Sequence, residues 1–170
     1  MKTSSFLLRI ALFLSLALFC ATAHAKTAKI VTGKILTRAD IAREMPLAQM
    51  GDAAYSEVNS IWLKKFYQDY RSELSRMGIV KWDPRFNCRH FAAYYAELAQ
   101  SRFYSENFQS NANTTALAVG PVWYQQDSGK GGHAIVMALT EKGRLFIEPQ
   151  TGEEVHLSTN EQKSIFFAMM

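Results

Sequence analysis

A thiol, an imidazole and a carboxylate stand in that order along this chain as Cys88, His133 and Glu148, with the carboxamide of Gln150 two residues further on. Together these types can attack a carbonyl. A thiolate is the nucleophile, an imidazole takes and returns its proton, and a polar group fixes the ring. Cys88 follows Asn87, a favoured helix N-cap, in "FNCRHFAAYYAELAQ". At a helix start the partial positive charge and unsatisfied N–H groups favour a thiolate and can hold an oxyanion. His133 opens the apolar run "GGHAIVMALT", and the short turn "EKG" returns the chain into "FIEPQTGE". A hairpin closing near Lys142 brings residues 148 to 151 within one or two positions of His133. Glu148 and Gln150 share strand parity, so either can hold the His133 ring.

Each of these residues has a plainer reading when taken singly. A lone cysteine is most simply a small buried hydrophobe, His133 a satisfied structural histidine, and Glu148 a solvated charge at a strand end. Their order within one chain is what points to chemistry. His90 lies two residues along the helix from Cys88, on a different face, and is a poor base for it. Cys88, His90, His133 and His156 do not converge as a zinc site, because Cys-x-His on a helix spreads its ligands. Trp82 and Asp83, just before the nucleophile, either line the cleft or support the helix end, with core the favoured role for Trp82, while Trp123 and Tyr124 either border the cleft or pack the sheet.

The elements that must position these groups follow from periodicity. Between Thr37 and Arg102 the spacing is helical. Thr37 caps a short helix with Asp40 in its first turn, ending near Pro46. A longer helix carries Val58, Trp62, Phe66, Tyr70, Leu74 and Met77 on one stripe and stops at Gly78. The next begins at Cys88 and buries Phe91, Ala92, Tyr95, Ala96 and Ala99. The polar segment from Ser101 to Thr115 reads as a helix end followed by a loop. After Thr115 the pattern changes to short apolar runs, "ALAVGPVWYQQ", "HAIVMALT", "RLFIEP" and "EVHLS", separated by turn residues. Ser158 and Glu161 form a capping box, and "SIFFAMM" reads as a last strand. Short connections imply antiparallel neighbours, and helices followed by such a sheet make an α+β domain.

The segment Met1–Ala25 has the charged start, apolar run and Ala23-His24-Ala25 ending of a secretory signal peptide. The run is too short to span a bilayer, and Phe19 before Cys20 argues against a lipid anchor. The expected product, residues 26–170, is a single soluble domain, periplasmic or secreted, with Cys88 unpaired. Of the chain's formal charge of +4, Lys2 and Arg9 fall in the leader. The remainder carries no basic stripe for a nucleic acid and no second apolar stretch for a membrane. No cofactor or metal is expected, and no dense Asp cluster calls for calcium.

Between Trp82 and Val155 the residues resemble the bacterial transglutaminase-like cysteine peptidases, a branch of the broad papain-like fold. "NCRHFAAYYAEL" is similar to that family's "DC-x-D-[FY]-A" helix. "GGHAIVMAL…GRLFIEPQTGE" is similar to its "GH-[AL]…[ILF]-[DE]-[NP]-x-T" hairpin. Arg89 and His90 stand where the family often has acidic or polar residues, and Glu148 replaces the commoner Asp. The resemblance implies a Cys88–His133–Glu148 triad, with Gln150 the alternative third member. It implies a peptidase or amidase acting on peptide or protein substrates, including cell-surface or cell-wall material. Transglutaminase-type acyl transfer and a non-catalytic binding module on the same scaffold are the rival expectations.

Overall fold

The computed structural model describes residues 28–107 and 115–170. The leader therefore lies outside the described residues, as does most of the polar stretch after Asn107. Nine strands and four helices follow one another as β1 (Val31–Thr37), α1 (Arg38–Glu44), β2 (Ala48–Gln49), β3 (Ala54–Val58), α2 (Ser60–Arg76), α3 (Cys88–Asn107), β4 (Ala116–Leu117), β5 (Val119–Gln125), β6 (Gly132–Thr140), β7 (Gly143–Ile147), β8 (Glu154–Val155), α4 (Thr159–Lys163) and β9 (Phe167–Met169) among those residues. The class is α+β, with α3 laid across β5 and β6.

The antiparallel hairpins β5–β6 and β6–β7 are present, running from Val119↔Ala138 to Gln125↔Gly132 and from Val136↔Ile147 to Thr140↔Gly143. The sheet as a whole is mixed. Its spine runs β1-β3-β6-β5-β9-β2, and the pairs β3–β6, β3–β4 and β2–β9 are parallel. The parallel pairs bring in β2 and β3, and β1 joins antiparallel to β3; the helical reading of the first half announces none of the three. β1 is an edge strand with most of its residues exposed, so it shows no apolar alternation. β3 runs almost directly into α2, with only Asn59 between them. Val58 is accordingly a fully buried strand residue rather than the first member of the helical stripe. At the other end of the stripe Met77 lies past the helix and is exposed.

Local signals explain the boundaries. Thr37 and Asp40 close a capping box on α1, and Ser158 and Glu161 close one on α4. Asn59 Oδ1 accepts from the N–H groups of Ile61 and Trp62 at the start of α2, where Glu141 also accepts from the Ser60 N–H. At its far end, Gly78 takes φ +75° while Ile79 N–H returns to the Leu74 carbonyl, a turn that a side chain would strain.

Where α2 packs against α3 lies a part of the core rich in aromatic rings. Trp62 stacks on Phe66, and Phe66 meets Tyr95 edge-on at 5.1 Å. Tyr70 lies 4.9 Å from Tyr95 and donates its hydroxyl to the Phe91 carbonyl at 3.1 Å. Burial keeps the Tyr70 phenol far above its usual range, so it stays a neutral donor. Phe91, 1% exposed, is also met edge-on by Phe86 from the connector at 4.8 Å. Burying a ring of this kind contributes roughly 1.5–3 kcal/mol. These contacts fix the first turns of α3, and with them Cys88.

Candidate active site

Cys88 is the first residue of α3, half-buried and unpaired. The Asn87 carbonyl accepts from the N–H groups of His90 and Phe91, which starts the helix. The Asn87 side chain turns its Oδ1 to the His90 ring instead of the helix N–H groups, while its Nδ2 donates to the Pro84 carbonyl at 3.5 Å. Its Oδ1 lies 3.1 Å from His90 Nδ1, and the same nitrogen lies 3.3 Å from the Asn87 N–H. One tautomer donates to the side chain and the other accepts from the backbone. Either way His90 serves the helix start, stacked on Phe86. The first N–H groups of α3 have no acceptor within the helix.

His133 lies near the start of β6, opposite Tyr124 of β5, whose ring meets it at 6.0 Å. Its Nε2 is 2.6 Å from Glu148 Oε2. The register explains the reach. Continuing the Val136↔Ile147 ladder by one step sets Glu148 beside Ile135, two residues along from His133 and on the same face. A glutamate is long enough to close that diagonal.

Glu148 is itself held. β7 ends at Ile147, and residues 148–152 turn sharply, with the N–H groups of Thr151 and Gly152 both returning to the Glu148 carbonyl. This turn takes Gln150 off the sheet, so it meets the carboxylate rather than the imidazole. Its backbone N–H and its Nε2 donate to Glu148 Oε1 at 3.1 and 3.2 Å. Tyr67 of α2 braces the turn by donating to the Gln150 carbonyl at 3.0 Å. Burial would raise the Glu148 carboxyl, but the donors from His133 and Gln150 outweigh it and hold the group below its usual range. With Nε2 occupied by this carboxylate, Nδ1 is the ring nitrogen left for another partner.

Cys88 and His133 share the wall of one cleft of about 520 Å³. Three of its other members, Asn87, Trp123 and Gln150, are legible in the sequence, and Trp82 is legible as a cleft residue only behind the favoured core reading. Trp82 is instead 53% exposed, at the cleft, because its connector packs through Phe86 and not through the indole. Trp123 lies 4.5 Å from Phe167, and its indole N–H is buried without a partner among the described residues. Arg89, Gln126, Lys130 and Phe166 also line the cleft, a role that the sequence reading does not give them. Arg89 carries a signal as a departure from the family pattern, and Lys130 lies in the turn before His133. Phe166 arrives with the strand at the far end of the chain, which local sequence cannot announce. Among the described residues no cluster of His, Cys, Asp or Glu is arranged to hold a metal, and no helix is long and apolar enough to cross a membrane.

No family model matches the chain, and no curated protein does. Solved structures do. PSL1a in complex with E64 superposes with a TM-score of 0.61 over 80% of this chain and 50% of its own, at 22% identity. The chain has a papain-like fold. A Polyporus squamosus lectin bound to a human-type influenza-binding epitope superposes with a TM-score of 0.60, again at 22% identity, covering 80% of this chain and 49% of the lectin. The chain thus spans about half the length of either. At this identity what is shared is the papain-like fold itself.

Proposed function

We propose that the protein is an exported cysteine hydrolase of the transglutaminase-like branch, cleaving an amide bond in peptide or protein material at the cell surface or cell wall. The observation that carries this reading is one cleft walled by Cys88 and His133, with the far nitrogen of that imidazole bound to Glu148. The comparison with PSL1a supports it, since that protein binds E64, a cysteine-peptidase inhibitor, on the same fold.

In this reading His133 Nδ1 takes the Cys88 proton, and the thiolate sulfur attacks the amide carbon. The N–H groups at the start of α3 receive the oxyanion. As the C–N bond breaks, His133 returns the proton to the leaving amine. Water then adds to the thioester, giving its proton to His133, and the acid departs as the thiol reforms. Throughout, Glu148 remains ionised and stabilises the imidazolium, and Gln150 positions Glu148.

A binding module on the same scaffold is the second reading, favoured by the match to a lectin. The two separate on treatment with E64, followed by mass analysis of the peptide containing Cys88. The hydrolase reading expects covalent labelling of Cys88 that His133→Ala slows strongly. An unlabelled Cys88 in the folded protein, labelled only after unfolding, would support the binding module. Export is checked by N-terminal sequencing of the natural protein, with Lys26 the expected first residue.

A further inference from the structure

The charges around the cleft are one-sided. Its lining includes two cations, Arg89 and Lys130, and no aspartate or glutamate. Arg89 follows Cys88 on α3, and Lys130 lies in the β5–β6 turn, three residues before His133. The turn is closed, with Gln126 N–H on the Gly131 carbonyl and Gly129 N–H on the Gln126 carbonyl, so Lys130 is carried on an ordered loop. Neither cation forms an ion pair among the described residues. The nearest carboxylate in the chemistry, Glu148, already receives donors on both oxygens. Two unneutralised cations on opposite elements of a concave site raise the local potential and concentrate anions there. The open N–H groups at the start of α3 act in the same sense.

We propose that the cleft selects acidic peptides, with a carboxylate next to the bond being cut held between Arg89 and Lys130. This deepens the hydrolase reading and rests on it. Arg89 and Lys130 are specificity residues that need not touch the reacting atoms. An exposed pair is worth roughly 0.2–1 kcal/mol, so each cation should contribute about 1.4- to fivefold, and two in the middle of that range together roughly tenfold.

Two alkylating probes of similar size, anionic iodoacetate and neutral iodoacetamide, test this on the full chain, read by mass analysis of the Cys88 peptide. The quantity of interest is the ratio of the two rates, because any change in thiol ionisation cancels from it. At low salt the ratio should exceed that of the urea-unfolded chain by about three- to tenfold. It should fall back in high salt, where exposed charges are screened. The double variant Arg89→Gln, Lys130→Gln should bring it to the unfolded value while the protein keeps its melting temperature. A folded-state ratio equal to the unfolded one, or one untouched by the double variant, overturns the proposal. Failure of the hydrolase reading looks different: both probes would react with the folded chain more slowly than with the unfolded one, and the ratio would still decide the charge question. A fully capped triglutamate and an uncapped trialanine then separate side-chain from chain-end carboxylate, as protectants of Cys88 against iodoacetamide. Protection by either supports the proposal, and protection by neither counts against it.

Discussion

Replacing Glu148 by glutamine keeps the shape of the side chain and removes its charge, and the hydrogen bonds around it decide the outcome. Glu148 accepts from His133 on one oxygen and from two Gln150 donors on the other. A carboxamide has one acceptor oxygen, and its NH₂ must face one side or the other. Turned toward His133, the NH₂ requires Nε2 to accept, which moves the ring proton to Nδ1 and blocks uptake of the thiol proton. Turned toward Gln150, it meets two donors in a mostly buried setting. Both orientations also lose the charge beside the imidazolium. A bond to a charged group contributes about 1.5–3 kcal/mol, which corresponds to roughly 10- to 150-fold in the population or rate that depends on it. The tautomer error adds to this in turnover, where the analogous change in a serine-protease triad costs about 10⁴. Gln150→Ala removes one 3.2 Å donor and leaves the backbone N–H in place, an expected loss of about 1 kcal/mol or about fivefold. The assay is the iodoacetamide rate of Cys88 at neutral pH, or turnover once a substrate is in hand, with melting curves to show that both variants fold. If Glu148→Gln stays within threefold of wild type, or Gln150→Ala loses more than Glu148→Gln, the assignment of Glu148 as the orienting group is wrong.

Gly152 has φ +79°, and a Cβ there would lie 2.6 Å from the Tyr67 ring, so Gly152→Ala should lower stability by at least the roughly 1–2 kcal/mol of a left-handed residue and slow Cys88 alkylation by loosening the Glu148 turn, as melting and labelling would show. Tyr67→Phe removes only the bond to the Gln150 carbonyl and should cost about 1 kcal/mol in denaturant unfolding, with the turn otherwise intact. Because the folded Glu148 carboxyl is held below its usual value, its contribution to stability is present above the unfolded pKa and lost as the pH falls through the folded one. The stability gap between wild type and Glu148→Gln should therefore be full near neutrality and close in acid, a comparison made by urea titrations across pH. Gly120→Ala would set a Cβ 1.7 Å from the Met169 carbonyl oxygen and should displace β9, measured as a loss of stability of roughly 1–3 kcal/mol or more.

What was legible in the sequence was local. The start of α3 shows in Asn87 and in the apolar spacing behind Cys88, and the β6–β7 hairpin in a short turn between two apolar runs. Parity alone set Glu148 and Gln150 on one side of a strand. It could not separate them, because the difference arises where β7 stops at Ile147 and the turn redirects Gln150 onto its neighbour's carboxylate. Strands β1 to β3 were hidden for another reason. A mostly exposed edge and a strand ending one residue before a helix cap carry no period of their own, and their pairing with β6 and β9 spans most of the chain. For Trp82 the residue type favoured core over cleft, since a large ring is usually buried, and this one lines a cleft formed by distant segments.

His133 and Glu148 belong to a single hairpin, whereas Cys88 comes from the helical layer laid over it. The two distances that matter to the chemistry therefore have separate mechanical origins. Imidazole to carboxylate is set by strand register, which changes only in whole-residue steps. Sulfur to imidazole is set by how α3 rests on β5 and β6 and against α2, which can shift by fractions of an ångström as the side chains packed on the helix change size. A substitution at Tyr70, Phe91 or Tyr95 would thus act as a fine adjustment of the thiol's approach while leaving the ring's proton chemistry as it was. Inheritable variation in such a protein has one graded control and one that is all or none.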